Sequence, residues 1–251
     1  MISRPALLRL TRFARAEIAA LAALFVVALG VVTFIALAGD VAETEGLALD
    51  QTVLTWLQPV PGRPRGPWWL QTAAIDLTSL GGISVLALFA LIALAFLLIL
   101  RKTLSATLLA VGLSGGVALS EGLKALFERE RPPLAYQAVE TLNASFPSGH
   151  ALLSAVFYLS LGVMLTRAFP QRRLKAFIVG SAILITLLIG LTRVYLGAHW
   201  ASDVVAGWSA GAAWAMALWL LAYAVERRQA LNHAPLQDAP PADTPPAVIG
   251  E

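Results

Sequence analysis

The residues best suited to chemistry lie in three short segments of this chain, each at one end of a long apolar stretch. They are permanent cations, imidazoles and a carboxylate, in chain order Lys124, Arg131, His150, Arg193, His199 and Asp203. Ionisable groups at the ends of such stretches are costly unless they serve a binding or catalytic site. The three segments therefore define a candidate site.

The cations of the first and third segments indicate an anionic ligand. Lys124 and Arg131 are seven residues apart, which is two helical turns, so their side chains can project from one face. Arg193 adds a third permanent positive charge. Because an arginine guanidinium matches phosphate with two parallel hydrogen bonds, the three cations favour an anion with several oxygens.

The second segment can also bind an anion. Ser148 and Gly149 directly precede an apolar stretch, so free backbone N–H groups and the positive end of a helix dipole would meet there. Ser148 is also a natural N-cap residue. The alternative is that Lys124 and Arg131 only extend to lipid headgroups, while Ser148 only caps its helix.

The histidines complete a set of groups for phosphoryl transfer. His199 and Asp203 are four residues apart, so on a helix the carboxylate can hold one imidazole nitrogen and leave the other free as nucleophile or base. His150 could protonate a leaving oxygen. His233 lies in the C-terminal tail and is predicted to be inert. No dense cluster of Asp, Glu or His predicts a metal site, and three fixed cations could replace magnesium.

The composition indicates a membrane protein. Of the 251 residues, 58% are apolar and 13% are charged, whereas soluble domains have about 45–50% and about 25%. The absence of cysteine excludes disulfides, thiolate metal sites and a cysteine nucleophile. The net charge of +3 does not indicate nucleic-acid binding, because the basic residues lie at the ends of apolar stretches.

Six apolar stretches are long enough, or nearly so, to cross a bilayer, which needs about 20 residues of helix. They are Ile18–Ala38, Ile83–Leu100, Thr103–Leu123, Ala151–Thr166, Ala176–Thr192 and Val204–Val225. The fourth and fifth are short and are expected to extend into their flanks. The first is too long for a signal peptide and is predicted to stay uncleaved. The predicted fold is an all-α bundle of six transmembrane helices.

The distribution of Lys and Arg predicts the orientation of this bundle. Twelve of the 18 basic residues lie on the side of both termini, and cytoplasmic loops carry the excess. Both termini are therefore predicted to be cytoplasmic. The odd number of spans between the termini and each of the three segments then places all of them together on the outer face.

The chain is predicted to consist of the membrane domain and two flanking segments. Residues 1–16 form a cytoplasmic segment, 17–228 the membrane domain and 229–251 a disordered tail. The outward segment 39–79 contains Trp56, Trp68 and Trp69. It forms either a short helix on the bilayer surface or a loop packed over the bundle. Gly207 and Gly211 are expected to allow close helix packing inside the protein.

These segments closely resemble the motifs of the type 2 phosphatidic acid phosphatase family, which shares its site with vanadium-dependent haloperoxidases. The family pattern reads K-x6-R-P, P-S-G-H and S-R-x5-H-x3-D. The chain matches it with Lys124 to Pro132, with Pro147 to His150, and with Arg193 to Asp203. It departs from the pattern at Thr192, where serine is usual; threonine keeps the hydroxyl. The six-helix arrangement over about 17–228 resembles the bacterial members.

The resemblance implies a role for each matching residue. His199 attacks phosphorus to form a phosphohistidine, Asp203 orients His199, and His150 protonates the departing oxygen. The residues implied to hold phosphate are Lys124, Arg131, Ser148, Gly149, Thr192 and Arg193. Neither a metal nor another cofactor is expected. In bacterial relatives the substrates include undecaprenyl pyrophosphate, phosphatidylglycerol phosphate and phosphatidic acid, which enter from the outer leaflet of the inner membrane.

Two other functions fit part of the pattern. A haloperoxidase would use the same pocket for vanadate, but those relatives are soluble, and six spans argue against it. A non-catalytic lipid or phosphate transporter, or a scaffold, would also need a polar site in the membrane. Transporters place their polar groups near the bilayer midplane on broken helices, whereas these groups lie at helix ends on one face.

Overall fold

The computed structural model describes residues 4–43, 48–139, 141 and 143–232. This part of the chain is built from eight helices, a short 3-10 turn at Leu134–Tyr136 and connecting loops, without β-strands. The helices are α1 Arg4–Ala42, α2 Ala48–Leu57, α3 Trp68–Ser79, α4 Ile83–Ile99, α5 Thr103–Phe127, α6 Gly149–Thr166, α7 Arg172–Tyr195 and α8 Ala201–Asn232. Helix α6 contains a π turn over Ala155–Leu159.

The helix lengths agree with the predicted membrane bundle. Five helices, α1 and α5 to α8, are long and apolar enough to cross a bilayer, and α3 and α4 together form a sixth candidate span. The fourth and fifth predicted stretches extend into their flanks as expected. The all-α transmembrane fold predicted from composition is therefore confirmed.

The second span differs from its prediction. Helix α4 has 17 residues, which reach about 25 Å at 1.5 Å per residue and fall short of a bilayer core. Helices α3 and α4 together are long enough for a span, and the helix axis bends by 48° between them. Gly81 lies in this bend, and a Cβ there would collide with Ile189 of α7. The bend thus brings the backbone against α7, close to the end of the bundle.

The segment 39–79, predicted to lie outside the bundle, is mostly helical where it is described, and the end of α1 and all of α3 belong to candidate spans. Helix α2 contacts α7 and α8 through a face that buries Leu54 and Asp50. Trp56 and Trp68 are 63% and 82% exposed, as expected for aromatic rings at headgroup depth. The predicted short helix is therefore present, and it also packs over the bundle.

Helix α6 lies at the centre of the bundle and contacts α5, α7 and α8, while α1 packs along α8. Gly207 and Gly211 of α8 face α6. A Cβ at Gly207 would lie 2.6 Å from the Ser148 carbonyl oxygen, and a Cβ at Gly211 would collide with the Leu152 carbonyl. The prediction that these glycines allow close packing inside the protein is confirmed.

The predicted boundaries at both ends fall within helices. Helix α1 begins at Arg4 and continues through the first candidate span, which runs from Glu17 to Ala42. Helix α8 ends at Asn232, four residues into the predicted tail. The rest of that tail, including His233, lies outside the described residues.

Candidate active site

The three chemically interesting segments converge at one end of the bundle. Helix α5 ends at Phe127 and the chain turns at Glu128, whose φ is 43°. Helix α7 ends at Tyr195, and Gly197 follows with a φ of 67°, where a Cβ would collide with the Tyr136 carbonyl. These turns bring the ends of α5 and α7 against the start of α6. Between them lies a cavity of about 300 Å³.

Six of the predicted residues line this cavity: Lys124, Arg131, Gly149, His150, Arg193 and His199. The same cavity is also lined by Ser120, which the sequence did not single out. Ser120 is four residues before Lys124 and therefore lies on the same helix face. That spacing is the signal by which it could have been found.

His199 and Asp203 lie together as their spacing predicted. Both side chains are buried, and Nδ1 of His199 is 3.5 Å from Oδ2 of Asp203. Burial lowers the pKa of His199 to about 4, an effect that the hydrogen bond and charge of Asp203 oppose and that Arg131 and Arg193 reinforce. His199 is therefore neutral at pH 7. With the Nδ1 proton directed at Asp203, Nε2 is unprotonated and carries a lone pair.

Arg131 is held rigidly beside His199. Its Nη1 donates to the Ala198 carbonyl at 2.7 Å and its Nε to the Asn143 carbonyl at 2.5 Å, while Nη1 lies 3.2 Å from Nε2 of His199. Burial lowers the pKa of Arg131, and the negative charge of Asp203 raises it. Because a guanidinium can only donate, its N–H is directed at the unprotonated Nε2 and sets a fixed positive charge next to it.

Lys124 and Gly149 form the opposite wall. The Lys124 Nζ lies 3.3 Å from Oε1 of Glu121. A Cβ at Gly149 would lie 3.4 Å from that Nζ and 3.3 Å from Oγ of Ser120. A glycine at this position therefore lets the first backbone N–H groups of α6 approach the lysine closely.

The sequence predicted that the Ser148 side chain could cap α6, but it does not. Ser148 occupies the N-cap position, but its side chain makes no capping hydrogen bond. Its backbone N–H donates to the Asp203 carbonyl at 3.0 Å. Its Oγ is buried and has no hydrogen-bond partner among the described residues, as is also true of Ser120 Oγ and Arg193 Nε. Such buried polar groups are costly, and here they lie in or next to the cavity wall.

Three predicted site residues do not line the cavity: Ser148 and Asp203 lie directly behind lining residues, whereas Thr192 faces elsewhere. Its hydroxyl donates to the Ile189 carbonyl at 2.6 Å, and it lines a separate apolar cavity between α2, α3, α7 and α8. Consecutive residues of a helix point about 100° apart. Since Arg193 faces the site cavity and donates to Oγ1 of Thr78 at 3.3 Å, Thr192 faces away from it.

His150 lies in the first turn of α6, on the side of the α3–α4 bend. A Cβ at Gly81 would lie 3.3 Å from its Cδ2, and one at Gly82 would lie 3.9 Å from its Nε2. The charged groups Arg193, Lys124 and Arg131 are near enough to interact with it electrostatically. The glycine bend leaves room for this imidazole at the cavity wall.

Sequence reasoning missed the groups that hold Asp203. Its carboxylate accepts hydrogen bonds from Arg129 Nη1 at 2.6 Å, Ser145 Oγ at 2.5 Å and the Trp200 backbone N–H at 3.0 Å. Arg129 is two residues before Arg131 and was visible as one of the basic residues on the outer side. Ser145 carries no such signal. Within the described residues, no group of three His, Cys, Asp or Glu side chains is placed to hold a metal ion.

Comparisons with known proteins identify the family of this chain. The family model of the PAP2 superfamily, that is, the type 2 phosphatidic acid phosphatases, matches residues 103–227. Phosphatidylglycerophosphatase B of Bacillus subtilis (strain 168) is 33% identical over 146 residues, which cover 57% of this chain and 70% of that protein. Lipid A 1-phosphatase of Rhizobium johnstonii is 40% identical over 68 residues, which cover 27% of this chain and 24% of that protein.

A solved structure shares the fold. The crystal structure of a transmembrane PAP2-type phosphatidylglycerolphosphate phosphatase from Bacillus subtilis is similar with a TM-score of 0.73 and 27% identity, over 80% of this chain and 98% of that one. The family resemblance seen in the motifs is thereby confirmed. This chain belongs to the PAP2 superfamily and is a multi-pass membrane phosphatase.

Proposed function

We propose that this enzyme hydrolyses the phosphate monoester or pyrophosphate of a membrane lipid through a phosphohistidine on His199. The observation that carries the proposal is the position of His199. Its Nδ1 lies against the buried carboxylate of Asp203, and its Nε2 faces a cavity lined by Lys124, Arg131 and Arg193. A neutral, oriented imidazole next to three cations suits attack on phosphorus.

The walls of the cavity supply donors for the phosphate oxygens. Arg131 and Arg193 offer N–H groups, Lys124 offers its ammonium, and the start of α6 offers the backbone N–H of Gly149. The buried Ser148 hydroxyl has no partner among the described residues and is available to donate. Each hydrogen bond to a charged group contributes about 1.5–3 kcal/mol, so several of them can bind a dianionic phosphate without a metal.

The proposed reaction has two steps. In the first, the Nε2 lone pair of His199 attacks phosphorus, the bond to the lipid oxygen breaks, and protonated His150 gives its proton to that oxygen. In the second, neutral His150 takes a proton from water as the water oxygen attacks phosphorus. The P–N bond then breaks, inorganic phosphate leaves, and both histidines regain their starting states. Throughout, Asp203 stabilises the positive charge that develops on His199.

The substrate class follows from the position of the cavity at the ends of membrane helices. Ile83 of α4 and Leu153 of α6 form an apolar part of its wall, which suits a lipid whose phosphate enters between the helices. A relative is named phosphatidylglycerophosphatase B, which supports phosphatidylglycerol phosphate as the first candidate. Undecaprenyl pyrophosphate and phosphatidic acid are the others. The excess of basic residues at the opposite end supports a site on the outer face of the bacterial inner membrane.

Phosphate release by purified protein in detergent tests this proposal. We expect activity on one or more of the three lipids, no activity in His199→Ala, and full activity in the control His233→Ala. Brief reaction with ³²P-labelled substrate and an alkaline quench, which preserves phosphohistidine, should trap labelled protein in the wild type and none in His199→Ala. A His199→Ala variant that still turns over substrate would refute the proposed nucleophile.

A further inference from the structure

A buried chain of ion pairs leads from the site to helix α2, beyond every residue proposed to touch the substrate. Oδ1 of Asp203 accepts a hydrogen bond from Nη1 of Arg129 at 2.6 Å, and Nη2 of Arg129 donates to Oδ2 of Asp50 at 2.8 Å. The side chains of Asp203, Asp50 and Arg129 are 0%, 3% and 12% exposed. One guanidinium thus joins the site to α2.

Ser202 closes this chain into a ring. Its backbone N–H donates to Oδ1 of Asp50 at 2.9 Å and its hydroxyl to Oδ2 at 2.5 Å. The Ser202 hydroxyl also accepts from Nη1 of Arg129 at 2.8 Å. Because Ser202 directly precedes Asp203, Asp50 holds the backbone of α8 next to the Asp203 carboxylate as well as the arginine that contacts this carboxylate.

The hydrogen bonds of Asp203 leave it little freedom to rotate. Oδ1 is occupied by Arg129, while Oδ2 accepts from Ser145 and from the backbone N–H of Trp200 and faces Nδ1 of His199. The planar guanidinium of Arg129 donates in two fixed directions to the two carboxylates at once. Loss of Arg129 would leave two buried negative charges with no compensating cation between them.

We infer that Arg129 and Asp50 are positioning residues for the reaction, and that α2 is part of the catalytic machinery. They act by holding Asp203, and through it the imidazole of His199, in the geometry for attack. The inference rests on the proposed role of His199. It also gives a function to the outward segment 39–79, for which the sequence suggested only a place at the membrane surface or over the bundle.

Steady-state kinetics on variants of the full chain test the inference. Misplacement of a catalytic group by about 1 Å can cost on the order of 100-fold in rate. We therefore expect Arg129→Gln to lower kcat by about 10- to 100-fold with KM changed less than about threefold, because the phosphate-binding groups remain. Arg129→Lys should recover little of this loss, since an ammonium lacks the rigid fork of donors with which the guanidinium contacts both carboxylates.

A double-mutant cycle isolates the part played by α2. Asp50→Asn should lower kcat by about three- to tenfold, and adding it to Arg129→Gln should cause little further loss, because Asp50 acts through Arg129. Arg63→Gln and Asp76→Asn make the same charge changes at exposed positions and should keep wild-type kinetics. Independent, multiplicative losses would contradict the coupling, and wild-type kcat in folded Arg129→Gln would overturn the inference.

The titration of His199, followed by NMR of ¹⁵N-labelled histidine in detergent, gives a readout that needs no activity. Removal of the Arg129 cation should raise the pKa of His199, whereas Asp50→Asn should lower it. If His199→Ala remains active, the proposed nucleophile fails, yet this titration still decides whether Arg129 and Asp50 act on His199. If Arg129→Gln does not fold, the same kinetics and titration are measured on Arg129→Lys and Asp50→Asn. An unchanged His199 titration in folded variants would refute the inference.

Discussion

The unprotonated imidazole nitrogen of His199 lies 3.2 Å from a guanidinium nitrogen of Arg131. The two groups come from segments 68 residues apart, and backbone carbonyls of Asn143 and Ala198 hold the guanidinium in place. In the proposed reaction this arrangement has two effects. It keeps the imidazole neutral before substrate arrives, and it sets a positive charge where negative charge develops on the phosphoryl oxygens.

The protonation state of His199 is the first testable consequence. Burial lowers its pKa to about 4, so the ring should stay neutral as the pH falls from 7 and gain a proton only near pH 4. In the unfolded chain a histidine titrates near pH 6.5. The unfolded state therefore binds more protons between these values, and this group should make the protein less stable as the pH falls from about 6.5 to about 4.

NMR of the ¹⁵N-labelled histidine rings in detergent measures this titration directly. The chain has three histidines, so spectra of His150→Gln and His233→Gln assign the remaining signals. A midpoint at pH 6 or above for His199 would contradict the expected shift and its cause.

The second prediction concerns the leaving group. If His150 protonates the departing oxygen, His150→Ala should slow hydrolysis of a lipid phosphate, whose alkoxide is a poor leaving group, by about 100- to 10,000-fold. An activated aryl phosphate releases an aryloxide, which needs no strong proton donor. The rate of its first step should therefore fall much less. Comparison of single-turnover rates for the two substrates checks this expectation. Equal losses on both would assign His150 to binding instead of acid catalysis.

The third prediction separates Thr192 from its neighbour. Thr192→Val removes a hydroxyl that donates to the Ile189 carbonyl and faces the apolar cavity, so kcat/KM should change by less than about twofold. Arg193→Gln removes a charged donor that lines the site cavity, and kcat/KM should fall by about 10- to 150-fold.

Thermal melting in detergent provides the control for both variants, because each residue is buried. A folded Thr192→Val variant with a loss as large as that of Arg193→Gln would return Thr192 to the phosphate-binding groups, as the family motif implied.

The fourth prediction concerns the orientation in the membrane. The chain has no cysteine, so single cysteines can be placed on either side of the bundle. Leu134→Cys, at a position 83% exposed near the site, should react with an impermeant thiol reagent in intact cells. Gln171→Cys, exposed at the opposite end, should react only after the cells are permeabilised. The reverse pattern would place the site in the cytoplasm and contradict the count of basic residues.

The amino-acid sequence by itself determined five of the six candidate spans and the end of the bundle at which the three motif segments lie. Both depend on local properties, namely the length of each apolar stretch and whether an odd or even number of spans precedes a segment. The pairing of His199 with Asp203 was equally local, because four residues on a helix bring two side chains to one face. The family motifs added the expected role of each residue.

The tertiary structure decided which side chains face the cavity and which hold them there. Whether Thr192 or Arg193 points into the site depends on the rotation of α7 against its neighbours, which packing sets. Asp50 hydrogen-bonds to Ser202 across 152 residues, and Ser145 to Asp203 across 58. No periodicity links positions so far apart, because their contact arises from the packing of whole helices. The network that holds the Asp203 carboxylate was therefore visible only in three dimensions.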